Sequence, residues 1–263
     1  MFLRSVIFSL LMLIAAAPAF AGETVTYMDG DMKLEGYLAR AQNDISGRPS
    51  PIVLIVHQWK GLTAYERMRA DMLAQQGYNA LAIDMYGQGV RPASDADAGT
   101  EAGKYKNNPA LARKRLQAAL DYAHTLKAID TTRIGVIGYC FGGGMALEVA
   151  RMCANDVKAV VSFHGDLTSK APVTKAGVIA ASVQVHQGAE DPHVPPAQVA
   201  GFEQEMRAAG ADWMLIQYSG AVHAFTQQDA GNDPSKGAAY NQKADLRSWN
   251  VASDFLRTTL ALQ

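Results

Sequence analysis

A cysteine between two glycines is the feature of this sequence best suited to chemistry. Cys140 lies in the stretch GYCFG, residues 138–142, directly after the apolar run 134–137 and before a helical pattern. In G-x-nucleophile-x-G turns between a strand and a helix, the central residue, usually a serine, attacks the substrate. The glycines leave room for a strained backbone, and the helix N-terminus favours a thiolate. The same five residues also fit a tight turn around a buried, inert cysteine.

An acid and a base follow two later predicted strands. Asp191 lies in the loop 188–193, and His223 lies in the loop 219–223. The order Cys140, Asp191, His223 is the nucleophile–acid–base order of α/β-hydrolases. His223 would take the thiol proton, and Asp191 would hold the imidazole in the required tautomer. Taken alone, Asp191 also fits a carboxylate that caps a turn, and His223 also fits a surface histidine. Together with Cys140, however, the two residues predict a catalytic triad.

Acyl transfer also requires donors that stabilise an oxyanion, and two backbone N–H groups are predicted for this task. Phe141, the residue after the nucleophile, supplies the first. The loop 57–61, which follows an early central strand, supplies the second, and we assign it to Trp59. The ring of Trp59 also fits an aromatic lid over the site, so both interpretations stay open.

The five other histidines form no recognisable metal motif. His57 ends a strand and is expected to be a packed core residue, and His124 lies within a predicted helix. His164, His186 and His193 lie close to the predicted site. No pair has the H-E-x-x-H spacing or a similar zinc-site spacing. The sequence therefore predicts neither a metal nor another cofactor.

The elements that must position these residues alternate between strands and helices. Alternation of this kind predicts an α/β fold with a mostly parallel central sheet, an N-terminal antiparallel hairpin and helices on both faces. In such sheets ligands bind beyond the carboxyl ends of the strands, where the candidate residues lie. The predicted strands are 24–28, 33–39, 52–57, 80–84, 133–137, 157–163, 183–187 and 213–218, and the predicted helices are 64–76, 109–127, 195–209 and 240–260, with a loop over 85–107.

The N-terminus has the pattern of a cleavable secretory signal peptide. Arg4 provides a positive charge, an apolar stretch follows, and Ala19-Phe20-Ala21 fits a small-x-small cleavage site. The apolar stretch is short for a membrane span, although an uncleaved anchor is the alternative. We therefore expect a signal peptide over 1–21, cleavage after Ala21, and a periplasmic or secreted domain over 22–263 that has no stable membrane association.

Composition narrows the class of partner. Hydrophobic residues make up 49% of the 263 residues, which supports one large core. The formal net charge is −1 with no basic patch, which argues against nucleic acid or an anionic membrane as a partner. The only two cysteines, Cys140 and Cys153, would lie about 20 Å apart on one helix and are expected to stay free thiols. A small-molecule substrate and a monomeric chain are the expectations.

Several motifs of this chain together point to one protein family. They are GYCFGG at 138–143, GAED at 188–191 with Val194-Pro195, GAVHAF at 220–225, DMY at 84–86, and segments within 230–241. With these motifs the chain resembles the dienelactone hydrolases, a family of the α/β-hydrolase superfamily, from about residue 24 to the C-terminus. The resemblance implies a cofactor-free hydrolysis of dienelactone to maleylacetate with Cys140, Asp191 and His223 as the triad. It also implies that Tyr86 and Tyr105 line the substrate pocket.

Two positions depart from that family's pattern. Gln58 stands where the best-known members have a glutamate that contacts the resting thiol, so Cys140 is expected to ionise against His223 directly. Gln227, and a position near Glu101, stand where those members hold the substrate carboxylate with arginines. We predict that Gln58 touches the thiol and that Gln227 borders the substrate, with Arg91 or Lys104 as replacement cations.

The sequence thus predicts a thiol-dependent hydrolase of a small ester or lactone that works through an acyl-enzyme. Two alternatives remain at this level. A non-catalytic binding protein would keep the fold without turnover. A redox-responsive protein would use Cys140 as a peroxide-sensitive thiol, although Cys153 is too distant to act as its resolving partner.

Overall fold

A computed structural model describes residues 22–42 and 47–261, and its centre is one eight-stranded sheet. The predicted signal peptide, 1–21, lies outside the described residues and stays a prediction. The strands are β1 Glu23–Asp29, β2 Met32–Ala39, β3 Ser50–Val56, β4 Asn79–Ile83, β5 Ile129–Tyr139, β6 Val157–Phe163, β7 Ser182–Gly188 and β8 Trp213–Tyr218.

Six α-helices accompany these strands in the described ranges. None of them is long and apolar enough to cross a lipid bilayer. They are α1 Ala64–Gln75, α2 Asp95–Lys106, α3 Pro109–Thr125, α4 Phe141–Met152, α5 Pro196–Ala209 and α6 Gln242–Thr259, and two short 3₁₀ turns, Gln228–Ala230 and Pro234–Lys236, precede α6.

The strand order is β1-β2-β4-β3-β5-β6-β7-β8, as expected for an α/β-hydrolase. β1 and β2 form the N-terminal antiparallel hairpin, β2 pairs antiparallel with β4, and all remaining pairs are parallel. The predicted fold class, a mostly parallel sheet with an N-terminal hairpin, is therefore confirmed.

Alternate residues of the central strand β3 face two separate apolar clusters. Leu54 and Val56 belong to the cluster that α3, α4 and α5 cover, whereas Val53 and Ile55 belong to the cluster that α1 and α6 cover. Because strand side chains alternate between the two faces, a strand covered on both faces must be apolar throughout. The continuous apolar run 52–56 follows from this double coverage.

The predicted loop 85–107 is wrong in its second half, which forms α2. Ser94 caps this helix by accepting a hydrogen bond from the N–H of Asp97, and the first turn is acidic while the last is basic. The buried face consists of Ala98, Ala102 and Tyr105. Since two of these three residues are alanines and two glycines stand between them, the apolar periodicity is too weak to recognise from the sequence.

The strand register brings the candidate loops to one edge of the sheet. Val56 of β3 pairs with Gly138 of β5, and Tyr139 pairs with Phe163 of β6. At the far side Gly188 of β7 pairs with Tyr218 of β8. The loops that follow these strands therefore leave the sheet side by side.

Glycine at 138 and 142 is a steric requirement of this edge. A Cβ at Gly138 would overlap the carbonyl group of Gly142, and a Cβ at Gly142 would overlap the carbonyl oxygens of Val56 and His57. Because backbone atoms on both sides are fixed by the sheet and α4, neither clash can be relieved by a side-chain movement. The close approach places the start of α4 directly against the end of β3.

Substitution of Gly138 by alanine should destabilise the protein by about 1–3 kcal/mol, the usual cost of overpacking a well-packed site. Gly201→Ala is the matched control because a Cβ there meets nothing within 4 Å in the middle of α5. This control should stabilise the protein by about 0.5–1 kcal/mol. Urea unfolding of the two variants measures both changes, and a Gly138→Ala variant as stable as the wild type would contradict the packing argument.

Candidate active site

Cys140 has the strained backbone expected of a nucleophile at a strand–helix turn. Its φ is 53° and its ψ is −117°, a conformation that side chains other than glycine rarely adopt. Its amide donates hydrogen bonds to the carbonyl oxygen of Phe163 at 3.0 Å and to Nδ1 of His164 at 3.1 Å. These bonds hold the residue where β5 passes into α4, with the side chain partly exposed.

His223 contacts both other members of the predicted triad. Its Nε2 lies 3.0 Å from Cys140 Sγ, and its Nδ1 lies 2.9 Å from Oδ2 of Asp191. The backbone of His223 is fixed by hydrogen bonds to Gly237 and Ala239, the segment before α6. Residues separated by 83 positions in the chain thus form a continuous acid–imidazole–thiol array.

The Asp191 carboxylate is oriented from both sides. It is buried, Oδ1 accepts a hydrogen bond from the N–H of His193 at 2.8 Å, and Oδ2 faces the imidazole. A turn closed by the bonds Asp191 N–H to Gly188 and Val194 N–H to Asp191 positions its backbone after β7. An aspartate held in this way accepts from Nδ1–H, which leaves Nε2 directed at the sulfur.

The electrostatics of the array favour a charged imidazole. Burial alone would lower the pKa of His223, but the Cys140 sulfur and the Asp191 carboxylate raise it to about 10. Two acidic groups on opposite sides of one ring stabilise its protonated form. The arrangement therefore supports an imidazolium next to the sulfur at neutral pH.

The two predicted oxyanion donors lie on neighbouring segments. Phe141 is the first residue of α4, and the first N–H groups of a helix have no intrahelical acceptor. Trp59 occupies a turn that Gly61 N–H closes on the carbonyl oxygen of Gln58 at 3.1 Å. The ring of Trp59 packs against the core cluster of α3, α4 and α5, and its carbonyl oxygen accepts from Tyr86 Oη at 3.0 Å. Their role as oxyanion donors stays a prediction.

Aromatic rings form one wall beside the nucleophile's helix. The ring of Tyr86 lies 5.6 Å from that of Tyr105 and 5.6 Å from that of Phe141, centre to centre. His57 contacts Tyr86 edge to face at 4.6 Å. Tyr105 reaches this wall from α2, the helix that replaces the predicted loop. The wall is apolar apart from the tyrosine hydroxyls.

Gln58 is buried, but it does not bond to the thiol. Its Nε2 is enclosed and has no hydrogen-bond partner, so the predicted contact with Cys140 Sγ is not a hydrogen bond in this structure. Its backbone N–H bonds to the buried carboxylate of Glu66 at 3.3 Å. Gln227 lies in the loop of His223, half-buried, and its N–H bonds to the carbonyl oxygen of Ala224 at 2.9 Å.

The two cations suggested as replacements for arginine clamps are engaged elsewhere. Arg91 donates to the carbonyl oxygens of Leu62 and Val90, both at 2.7 Å. Lys104 pairs with Glu101 at 2.6 Å. Neither cation is directed at Cys140 by these contacts.

His164 and Thr226 are residues near the triad whose importance the sequence did not reveal. Both are buried, and they are joined by a hydrogen bond of 2.8 Å between Nε2 and Oγ1. The position of His164 directly after β6 was the available signal, since strand ends line the site. Its partners could not be identified because they come from segments distant in the chain.

Two of the remaining histidines are packed in the interior, whereas the ring of His193 contacts that of His223 edge to face, with the ring centres 5.0 Å apart. His57 is fully buried, accepts from the N–H of Met85 and donates to the carbonyl oxygen of Gln58, as expected for a core residue. Buried His186 bonds to Tyr218 and Gln184. Within the described ranges no group of three or more His, Cys, Asp or Glu residues is arranged to hold a metal ion.

Comparisons with known proteins agree with the fold described above. The family model described as the dienelactone hydrolase family matches residues 34–260. A crystal structure of a dienelactone hydrolase-like promiscuous phosphotriesterase from metagenomic libraries is 33% identical, covers 90% of this chain and 98% of its own, and superposes with a TM-score of 0.82.

Two curated relatives carry names of lactone hydrolases. A Synechocystis protein named as a carboxymethylenebutenolidase is 27% identical over 90% of this chain and 96% of its own. A Bradyrhizobium protein named as a 2-oxo-3-(5-oxofuran-2-ylidene)propanoate lactonase is 28% identical over 85% of this chain and 92% of its own. With the match of the family model over most of its length, this chain belongs to the dienelactone hydrolase family and is a hydrolase of ester or lactone bonds.

Proposed function

We propose that the protein hydrolyses a small, uncharged ester or lactone through a thioester formed on Cys140. The observation that carries this proposal is the array in which His223 joins the sulfur at 3.0 Å to the Asp191 carboxylate at 2.9 Å. A base within hydrogen-bond reach of a nucleophile, itself oriented by an acid, is the geometry that nucleophilic catalysis requires.

The reaction has two steps that use the same groups in opposite directions. The thiolate of Cys140 attacks the carbonyl carbon, a C–S bond forms, and the carbonyl electron pair moves to the oxygen, which the N–H groups of Phe141 and Trp59 bind. When the C–O bond breaks, His223 gives its Nε2 proton to the leaving oxygen. A water then attacks the thioester while His223 takes one water proton, and the C–S bond breaks to release the acid.

Activation of the thiol by His223 alone is supported by the surroundings of Cys140. The pKa of His223 is raised to about 10 because, against the effect of burial, the sulfur and Asp191 favour the imidazolium. Gln58 carries a neutral amide and has no hydrogen bond to the sulfur. We therefore propose a resting thiolate–imidazolium pair that requires no glutamate.

The preference for an uncharged substrate is supported by the charges around the aromatic wall. After burial, the Glu101 carboxylate is the next cause of the raised pKa of Tyr86. For Tyr105 the causes that follow burial are the Arg115 guanidinium, which lowers the pKa, and then Glu101, which raises it. Three cations near this wall have partners of their own, since Lys104 pairs with Glu101, Arg115 pairs with Asp29 at 3.3 Å and Arg91 donates to Leu62. These contacts leave none of the three free to clamp a substrate carboxylate.

Mixing the protein with p-nitrophenyl acetate should transfer one acetyl group to Cys140, located by peptide mass spectrometry. Cys140→Ala should abolish the adduct, and His223→Ala or Asp191→Asn should lower turnover by about 10²- to 10⁴-fold, since triad members act as a unit. Cys153→Ser is the matched control and should retain turnover. A wild-type protein with neither adduct nor turnover would indicate a binding protein, and peroxide oxidation of Cys140 without acylation or turnover would indicate a redox-responsive one.

The alkylation of Cys140 by iodoacetamide should depend on pH differently from that of Cys153 in the same molecule. Below about pH 10 the His223 ring carries its second proton, so a positive charge faces the Cys140 sulfur where a free thiol would be neutral. Cys140 should therefore react rapidly at pH 6, whereas Cys153, whose sulfur bonds to the carbonyl oxygen of Arg151, should react much more slowly at this pH. In His223→Ala the two profiles should coincide, and equal profiles in the wild type would refute the ion pair.

Turnover of p-nitrophenyl butyrate should exceed that of p-nitrophenyl hemisuccinate, an ester of similar length that ends in a carboxylate. We expect a ratio of about tenfold or more in kcat/KM, which corresponds to about 1.4 kcal/mol. Glu101→Gln keeps the side-chain size and removes the negative charge, so it should narrow the ratio. Preference for the hemisuccinate would show that a cation reaches the substrate, and the uncharged class would then be wrong.

A further inference from the structure

A single imidazole bonds to the segment of the nucleophile and to the loop of the base. The Cys140 amide shares its one hydrogen between the carbonyl oxygen of Phe163 at 3.0 Å and Nδ1 of His164 at 3.1 Å, and Nε2 of His164 lies 2.8 Å from Oγ1 of Thr226. Thr226 stands three residues after His223 in the same loop. His164 therefore joins the two chain segments whose separation determines the distance from sulfur to base.

The hydrogen bond from Cys140 determines the tautomer of His164. A backbone amide can only donate, so Nδ1 must be the unprotonated nitrogen and Nε2 must carry the hydrogen that Thr226 Oγ1 accepts. A doubly protonated ring would direct a second N–H at the Cys140 amide and break the bond. The hydrogen bonds that join Cys140 to Thr226 through His164 therefore require a neutral His164 next to a charged His223.

The surroundings of His164 keep it neutral. The side chain is fully buried, and burial, followed by the charge of His223, lowers the pKa of His164 well below its usual value. The charged and titratable groups that face it are His223, whose ring centre lies 5.3 Å away, together with Tyr139, Cys140 and the more remote Arg69. The proton transferred in the proposed reaction is therefore carried by His223 and not by His164.

Thr226 is held from the other side by a chain of bonds that ends in a buried ion pair. Tyr65 donates from its hydroxyl to Thr226 Oγ1 at 2.7 Å, and Arg69 Nε donates to the Tyr65 oxygen at 3.2 Å. Arg69 in turn pairs with Asp245 of α6 at 2.7 Å. The acceptor of His164 is therefore anchored to α1 and α6 rather than to a free loop.

From these contacts we infer that His164 is a positioning residue for the hydrolysis proposed above. It holds the nucleophile elbow and the loop of His223 at the separation that lets Cys140 and His223 form their ion pair, and Thr226 is the acceptor through which it acts. The inference rests on the proposed function for its effect on turnover, but its effect on the reactivity of the thiol can be measured without any substrate.

The test compares Thr226→Val, which removes the acceptor at almost constant volume, with Thr226→Ser, which keeps the hydroxyl. Thr226→Val should lower kcat for p-nitrophenyl butyrate by roughly 10- to 100-fold with KM changed little, because displacement of reacting groups by about 1 Å has effects of this size. The rate at which Cys140 is alkylated at pH 6 should fall toward the rate of Cys153. Thr226→Ser should retain both properties.

Thermal unfolding separates this role from a purely structural one. If Thr226→Val lowers only the melting temperature, while the folded protein keeps the wild-type kcat and Cys140 alkylation, the inference is wrong. If the wild type turns over no ester but the alkylation of Cys140 still depends on Thr226, the proposed function is wrong. The positioning of Cys140 by His164 and Thr226 is then still supported.

A second measurement applies to the wild-type protein and does not depend on whether the variant folds. Nitrogen NMR of labelled histidine should show His164 at neutral pH as a neutral ring with the hydrogen on Nε2. An Nδ1–H tautomer or a protonated His164 ring would overturn the inference, because neither could accept the Cys140 amide.

Discussion

The positive φ of Cys140 is the constraint on which the rest of the site depends. A residue with a Cβ adopts this conformation only when its surroundings compensate for the strain. Here the compensation comes from the fixed backbone around it. The Cys140 amide bonds to Phe163 and His164, and glycine at 138 and 142 lets α4 begin against the end of β3. The turn at residues 138–142 therefore depends on the surrounding parallel sheet and not on these five residues alone.

Charge is the second constraint, and it is centred on His223. This ring lies between a sulfur and a carboxylate, and both favour its protonated form although burial opposes it. His164, only 5.3 Å away, is kept neutral by burial and by that same charge. The pKa values of two histidines in contact are thus driven in opposite directions by their environments. This difference supports His223, the ring that reaches the sulfur, as the proton carrier of the proposed reaction.

Much of the fold and the order of the triad could be predicted from the sequence, since both depend on local patterns. Apolar runs indicate buried strands, and the ends of parallel strands converge whatever the loops contain. Helix α2 was missed because alanines form most of its buried face. The partners of His164 were missed for another reason. Its bonds join residues 24 and 62 positions away, and they depend on the left-handed backbone of His164, which a non-glycine residue rarely adopts.

Main-chain bonds and side-chain bonds hold different parts of this site. Main-chain bonds fix the Asp191 turn and the segment of His223, whereas in our proposal the side chains of His164 and Thr226 fix the separation between the elbow and the His223 loop. By contrast, Gln58 lies in the loop after β3, Tyr86 lies in the segment after β4, and Glu101 and Tyr105 lie on α2. A side chain at these positions can change without moving the sheet. In the proposed mechanism, Gln58 has a neutral amide with no hydrogen bond to the sulfur, so His223 is the group that ionises the thiol. In the proposed specificity, the pairing of Lys104 with Glu101 keeps this cation from a substrate carboxylate. Neither proposal requires a change in the contacts that join Cys140, His223 and Asp191.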